Sequence, residues 1–279
     1  MPELPEVETI RQYLRLGKEG QPPILGMRIR RAHLLWERTL AFPAPDEFEL
    51  RIENQIIQEI GRRGKFLILH LSMDNLLIHL RMSGDLLVEA ADRAVAPHHR
   101  LMLDLEEGLR LAFNDTRKFG RVWLVGDTQE VLEGLGPEPF DPALTPQAFY
   151  QRLQAHRRQL KPLLLDQAFL AGMGNIYTDE ALHLARLHPL QPAHSLSPAE
   201  AERLLHSIRL VLQESIRRHG ASIDWVYRGG DFQNYFRVYQ RTGEACPECG
   251  TLIRRVVIGQ RGTHYCPVCQ RPDPSTPGS

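Results

Sequence analysis

Two groups of residues in this chain are of the right type and spacing to do chemistry. The first opens it, Met1-Pro-Glu-Leu-Pro-Glu-Val-Glu8. Removal of Met1, the usual fate of a Met before a small residue, exposes Pro2 as a secondary amine with an ordinary pKa of about 7.7–8.0. At neutral pH roughly 10% of such an amine is unprotonated, against roughly 0.04% of a lysine at about 10.4. It is therefore a usable nucleophile, of the kind that forms Schiff bases with sugar aldehydes. Glu3 beside it is placed to supply or relay a proton. A plainer reading is a helix start: Pro5 suits the first helical position, and Glu6 and Glu8 suit the positive end of the helix dipole. Val7, Ile10, Tyr13 and Leu14 then share one face. The two readings are compatible, because such a helix anchors the tail and aims Pro2.

The second group is Cys246-Pro-Glu-Cys249 with Cys266-Pro-Val-Cys269, which are all the cysteines in the chain. Two C-x2-C knuckles at this separation predict one structural zinc held by four thiolates, with no open position for metal catalysis. Two disulfides are the competing reading, disfavoured in a cytosolic chain. Between the knuckles, Arg254, Arg255 and Arg261 sit on a predicted hairpin suited to phosphates, or else to a plain solvated turn.

These groups need elements to position them. Short alternating segments at 26–34, 55–60, 65–71, 76–82, 85–89, 100–105, 109–114 and 121–125 predict an antiparallel β-sandwich over residues 1–128, led by the amino-terminal helix. Pro- and Gly-rich residues 129–144 read as a linker. Helices are expected from Thr145-Pro146, over Lys161–Phe169, and over Asn175–Leu187 after the Gly172-Met-Gly174 turn. A fourth starts at Ser197-Pro-Ala-Glu200, a capping box with Pro at the first helical position, and stops at Gly220. The fold class is α+β: a β-sandwich, a helical domain over 145–235, a zinc-bearing hairpin over 236–271, and a disordered tail over 272–279.

Composition fits a soluble globular protein, with 42% hydrophobic and 24% charged residues. No apolar run reaches the length of a membrane span and no signal peptide is visible, so a cytoplasmic location is expected. The formal net charge of zero argues on its face against a nucleic-acid binder. Its distribution argues otherwise: Arg203 to Arg271 holds eleven arginines, no lysine and five acidic residues, a basic carboxyl-terminal third.

The run Pro2-Glu-Leu-Pro-Glu-Val-Glu8 resembles the amino terminus of the formamidopyrimidine-DNA glycosylases, bacterial enzymes that excise oxidised purines. Further motifs follow in that family's order. Gly61-Arg-Arg-Gly-Lys65 looks like its lysine loop. His79-Leu-Arg-Met-Ser-Gly84 and Asn114-Asp-Thr-Arg-Lys-Phe-Gly120 resemble its two duplex-penetrating loops. Gly172-Met-Gly-Asn-Ile-Tyr177 matches the turn of its helix–two-turns–helix element, and Gln260-Arg-Gly-Thr-His-Tyr-Cys266 its zinc-finger signature. Taken singly, most of these would read as core residues, surface residues or ordinary turns; together and in order they span residues 2 to about 270.

The resemblance implies a DNA glycosylase and abasic-site lyase that kinks damaged duplex DNA, flips the damaged nucleotide out and attacks C1′ with Pro2. It places Pro2, Glu3, Lys65 and Arg261 in catalysis. It puts His79, Met82, Arg117, Phe119, Lys161 and Asn175 on DNA: Met82, Arg117 and Phe119 filling the gap left by the flipped nucleotide, and Asn175 binding phosphate beside Arg261. Glu180, like Lys161, falls near the lesion. The physics suits these roles, since a flexible apolar wedge, an aromatic and a planar donor can unstack and replace a base. The implied protein is a monomer with one structural zinc, working in the bacterial cytoplasm on nucleoid DNA. Residues 222–236 occupy the place of the family's lid and look short, and Ser83 stands where some members carry a base-contacting Glu. Both leave the choice among 8-oxoguanine, ring-opened purines and oxidised pyrimidines open.

Overall fold

A computed structural model describes residues 2–18, 20–222 and 229–271. The chain forms two compact units, Met1–Glu133 with His219–Gly230, and Gly134–Arg218 with Asp231–Ser279. The expected tail over 272–279, and residues 223–228 of the expected lid, lie outside the described residues.

The first unit begins with α1 (Leu4–Leu16), with proline in its first turn and Glu3 as its N-cap. Of the expected face, Val7, Ile10 and Leu14 are buried, joined by Leu4, while Tyr13 is half-buried. The strands are β1 (Ile29–Leu34), β2 (Leu40–Phe42), β3 (Ile57–Arg63), β4 (Phe66–Leu71), β5 (Asn75–His79), β6 (Gly84–Ala90), β7 (His99–Leu105), β8 (Leu109–Asp115) and β9 (Arg121–Val125), with helix α2 (Pro45–Ile52) between β2 and β3. They form a four-stranded sheet ordered β1-β7-β8-β6 and a five-stranded sheet ordered β2-β9-β5-β4-β3. Inward residues of both sheets, among them Leu103 and Phe113 from one and Leu69 and Ile78 from the other, share one core.

Two features differ from expectation. Three-residue β2 pairs parallel with β9, so the five-stranded sheet is mixed rather than purely antiparallel. The strand expected to reach Met82 ends at His79, because Leu80 begins a turn whose carbonyl accepts from Gly84 N–H at 2.9 Å.

The second unit follows a short helix α3 (Gln129–Leu132), which lies inside the expected linker. Its helices are α4 (Pro146–Gln154), α5 (Leu160–Leu164), α6 (Asn175–Leu184) and α7 (Pro198–Arg217). The helix expected over Lys161–Phe169 stops at Leu164, and a further turn is closed by Leu170 N–H on Asp166. Arg186, at φ 56°, marks the end of the α6 turn short of the expected Leu187. Helix α7 carries the expected Ser197–Glu200 capping box and buries Ala201, Leu204, Leu205, Ile208 and Leu212. The antiparallel hairpin β10 (Arg254–Ile258) and β11 (Arg261–Tyr265) completes an α+β fold. Among the described residues no helix is long and apolar enough to cross a membrane.

Candidate active site and metal centre

At the amino terminus, Pro2 is buried and Glu3 is 2% exposed. Glu6 anchors the Glu3 backbone. One carboxylate oxygen accepts from Glu3 N–H at 2.7 Å, and the other accepts from Ala221 N–H at 2.8 Å. Gly220 permits that approach: it lies at φ +83°, and a Cβ there would stand 2.8 Å from Glu6 Oε1. One residue further on, the Ser222 hydroxyl donates to Gly230 C=O at 2.7 Å and accepts from Gly230 N–H at 3.0 Å. The start of α1 is thus tied to the segment that brackets residues 223–228.

A second tie runs from α1 to β3. Glu8 accepts from Arg11 at 2.7 Å and from Arg62 Nε at 3.1 Å, and Arg62 donates onward to Gly64 C=O at 2.9 Å. Burial opposes ionisation of Glu8, but hydrogen bonds from Arg11 and Gln12 and the charges of Arg11 and Arg62 hold its pKa below the usual range. The Gly64 turn leads directly to Lys65, itself buried.

The sheet registers bring the remaining residues of this unit to the same end. Phe66 pairs with His79, and His79 with Arg121. In the other sheet Gly84 pairs with Asp115. Residues 80–83 and 116–120 are therefore two crossovers between the sheets, side by side. In each, the residue before the apolar side chain is left-handed, Arg81 at φ 55° and Lys118 at φ 60°. This is a conformation that costs a non-glycine residue on the order of 1 kcal/mol. Phe119 is 50% exposed, with the Arg117 guanidinium 5.1 Å from its ring centroid. Met82 is half-buried.

One carboxylate organises both crossovers. Fully buried Asp115 accepts from the Ser83 hydroxyl, from Arg117 N–H at 3.1 Å and from Gly120 N–H at 2.8 Å. Ser83 also accepts from Arg117 N–H at 3.0 Å. Both crossovers end on glycine against the Phe113 ring, where an added Cβ would lie 2.8 Å from it at Gly84 and 2.3 Å at Gly120. His79 shapes the first turn, its Nδ1 accepting from Arg81 N–H at 3.1 Å. It is 8% exposed, and burial, followed by the charges of Arg81 and Lys65, draws its pKa down to about 3.

In the second unit, Gln167 builds the turn before α6, accepting from Gly172 N–H at 2.9 Å and donating to Met173 C=O at 2.8 Å. Asn175 opens the helix and donates to Gly262 C=O at 3.0 Å. Asp179, one turn on, accepts from the Lys161 ammonium and from His264 N–H at 2.9 Å, and lies 3.2 Å from His264 Nδ1. Lys161 also donates to Gly262 C=O at 3.2 Å. Arg261, adjacent to Gly262, is exposed. Lys161 is 0% exposed, with its ammonium donating to Asp179 and to Gly262 C=O inside the protein. Glu180 is likewise internal, accepting from the N–H groups of Arg237, Val238 and Tyr239 at 2.8 to 3.0 Å. Burial raises its pKa against those three donors.

The four cysteine sulfurs all lie within 4.8 Å of one another, with Cys246–Cys269 at 3.9 Å and Cys249–Cys266 at 3.5 Å. A tetrahedron with zinc–sulfur bonds of about 2.3 Å has edges of about 3.8 Å. The chemistry agrees. Hydrogen bonds with Thr251 draw Cys249 down to about 6, whereas burial and then the neighbouring sulfurs push Cys269 up. The opposition of burial and neighbouring sulfurs to ionisation of Cys269 is what a divalent cation relieves. The set holds one structural zinc, with no position left over for substrate.

Comparison with known proteins covers 97% of the chain. Family models match residues 1–122 (formamidopyrimidine-DNA glycosylase N-terminal domain), 135–226 (its H2TH domain) and 243–272 (the zinc finger found in FPG and IleRS). The formamidopyrimidine-DNA glycosylase of Chloroflexus aurantiacus is 48% identical over 278 residues, covering 97% of this chain and 98% of that one. That of Enterococcus faecalis is 41% identical over 97% and 98%. The chain belongs to the formamidopyrimidine-DNA glycosylase family. Its fold is also that of Lactococcus lactis Fpg (MutM) solved with DNA containing N7-benzyl-Fapy-dG, at a TM-score of 0.89 and 35% identity over 97% of this chain and 100% of that one. MutM solved with DNA containing carbocyclic 8-oxo-G matches at 0.88 and 36% identity, with the same coverage.

The structure gathers Lys65, His79, Met82, Arg117 and Phe119 at one end of the sandwich, and Lys161, Asn175 and Arg261 around α6 and the hairpin. Sequence reasoning missed the residues that hold them. Asp115 carries a visible signal, since an Asp two residues before Arg117 is the pattern of an Asx turn. Glu6 sits where a capping box places its second member. Asp179, whose partners are 18 and 85 residues away, leaves no local signal.

Proposed function

We propose that this chain is a DNA glycosylase and abasic-site lyase of base excision repair, acting on ring-opened purines and 8-oxoguanine in duplex DNA. With Met1 removed, the Pro2 nitrogen forms a bond to C1′ of the damaged nucleotide, and the glycosidic bond breaks with its electron pair leaving on the base. Glu3 protonates the ring oxygen, the C1′–O bond opens, and a Schiff base remains. Loss of protons from C2′ and then C4′ expels the 3′ and 5′ phosphates in turn, leaving a one-nucleotide gap. Lys65 and Arg261 bind the phosphates and assist their departure. Met82, Arg117 and Phe119 fill the vacated stack, His79 shapes the turn that carries Met82, and Asn175 binds backbone phosphate. The protein works as a monomer on nucleoid DNA in the bacterial cytoplasm.

The observation that carries this reading is the tie of the Glu3 backbone, next to buried Pro2, to Glu6, in a chain matching its family over 97% of its length. Relatives solved on DNA with Fapy-type and 8-oxo-G lesions support the substrate class.

Borohydride trapping tests it, on duplexes carrying 8-oxoguanine, a ring-opened purine, an oxidised pyrimidine or a bare abasic site, with Pro2→Gly alongside and Met1 removal verified by intact mass. A covalent adduct on the purine lesions that is lost in Pro2→Gly is expected. An adduct on the pyrimidine alone moves the substrate class, and no adduct on any duplex leaves a non-catalytic DNA binder. Affinity should also fall steeply with salt, and Arg261→Ala should reduce the log–log slope by about 1.

A further inference from the structure

The stripe of α6 that faces the hairpin has a third member. Asn175, Asp179 and His183 recur every four residues, which puts them one above another on one face of a helix. Asn175 reaches Gly262 C=O at 3.0 Å, and Asp179 reaches His264 N–H at 2.9 Å. Buried His183 places Nε2 3.3 Å from the Sγ of Cys246, itself buried. The function proposed above gives His183 no task.

We propose that His183 donates a hydrogen bond from Nε2 to the zinc-bound thiolate of Cys246, acting as a positioning residue that holds the metal and couples it to the helix carrying Asn175. A metal-bound thiolate has lone pairs and no proton, so the hydrogen must come from the imidazole. The other ring nitrogen agrees: Nδ1 of His183 is buried with no hydrogen-bond partner among the described residues. With the proton on Nε2, what is left unpaired at Nδ1 is an acceptor. The opposite tautomer would bury an unpaired N–H, the rarer and costlier defect.

The contact disperses charge from a buried thiolate and fixes the direction of its sulfur, the two services an outer partner gives a metal ligand. It also joins the zinc to the phosphate-binding elements through one rigid helix, with Cys246 at one end and Asn175 beside Gly262 and Arg261 at the other. A further tie joins the segment just after α6 to the second knuckle, because Gln270 donates to Leu187 C=O at 2.9 Å and accepts from Cys266 N–H at 2.9 Å.

The test uses the zinc-loaded protein and the chelator 4-(2-pyridylazo)resorcinol, comparing wild type, His183→Phe and His183→Gln. Phe keeps the ring volume and removes the donor, whereas Gln restores an N–H. Zinc affinity should fall about 10- to 100-fold in His183→Phe and return toward wild type in His183→Gln. Unchanged affinity in a folded His183→Phe, checked by circular dichroism, overturns the proposal; so does a loss that Gln fails to restore. A measurement on wild type needs no variant at all. Long-range nitrogen–proton NMR correlation of the His183 ring should place the proton on Nε2, and a ring protonated only on Nδ1 overturns the proposal directly.

Discussion

Each unit of this chain holds its working residues with one buried aspartate, and the two are satisfied in opposite ways. Asp115 is surrounded by neutral donors: the Ser83 hydroxyl and the N–H groups of Arg117 and Gly120. Asp179 is paired with a cation, Lys161, and adds the N–H of His264. The neutral arrangement divides the carboxylate among two N–H groups within five residues and one hydroxyl on the neighbouring loop, which suits two loops that must hold a left-handed residue and an exposed aromatic. The ion pair joins α5 to α6 across 18 residues, and the His264 N–H ties β11 to the same carboxylate across 85. Directional hydrogen bonds to a charged acceptor are worth about 1.5–3 kcal/mol. A buried pair is worth little net, yet costs about 3–5 kcal/mol when only one partner is removed.

The largest expected effect therefore lies at Asp179. Asp179→Ala leaves the Lys161 ammonium buried without its counter-charge and should lower unfolding stability by about 3–5 kcal/mol. Lys161→Met should cost a comparable amount. The double variant Asp179→Leu with Lys161→Met removes both charges and should recover much of the loss in urea unfolding. If it recovers nothing, the His264 hydrogen bond rather than charge pairing is what matters, and the contrast with Asp115 collapses.

Asp115→Ala comes next, at about 1–3 kcal/mol, because it strands the Ser83 hydroxyl and the Gly120 N–H while Arg117 N–H keeps Ser83. Its functional effect should exceed its effect on stability, since both crossovers lose their shared anchor. Slower trapping on lesion duplexes, with nearly unchanged trapping on a bare abasic site, is the expected signature. Asp115→Asn keeps an acceptor and should restore most of the rate. Equal slowing on both substrates would place Asp115 in general stability rather than in loop positioning.

The same contrast explains how much the sequence disclosed. The sandwich strands were legible because alternation such as Leu67, Leu69 and Leu71 against Phe66, Ile68 and His70 marks a sheet lying against a core. Helix α7 was legible from its Ser197 capping box. Three-residue β2 and Pro-led α2 were not, being too short for periodicity to stand out. The four cysteines and the Pro2 motif announced themselves by residue type and spacing. The burial of Lys161 was not legible, because only the tertiary arrangement reveals the aspartate 18 residues away that pairs with it inside.

The smallest effect concerns His79, which belongs to the Asp115 side of the comparison because it too fixes a loop by accepting from a backbone N–H. Its folded pKa of about 3 lies below the ordinary value of 6.5. Between those values the unfolded chain binds a proton that the folded chain refuses, so stability falls as pH is lowered through that window and is fully present above about 6.5. At pH 5.5 the loss from this one group is about 1.3 kcal/mol relative to pH 7. His79→Gln keeps an acceptor for Arg81 N–H and removes the titration. Its unfolding stability should decline less than wild type between pH 7 and 5.5, by about that amount. Parallel curves would mean that His79 takes up its proton in the folded state, which requires the ring to turn away from Arg81 N–H and Phe66. The turn carrying Met82 would then be a pH-dependent element, and the rigidity attributed to this end of the sandwich would hold only above the pKa of His79.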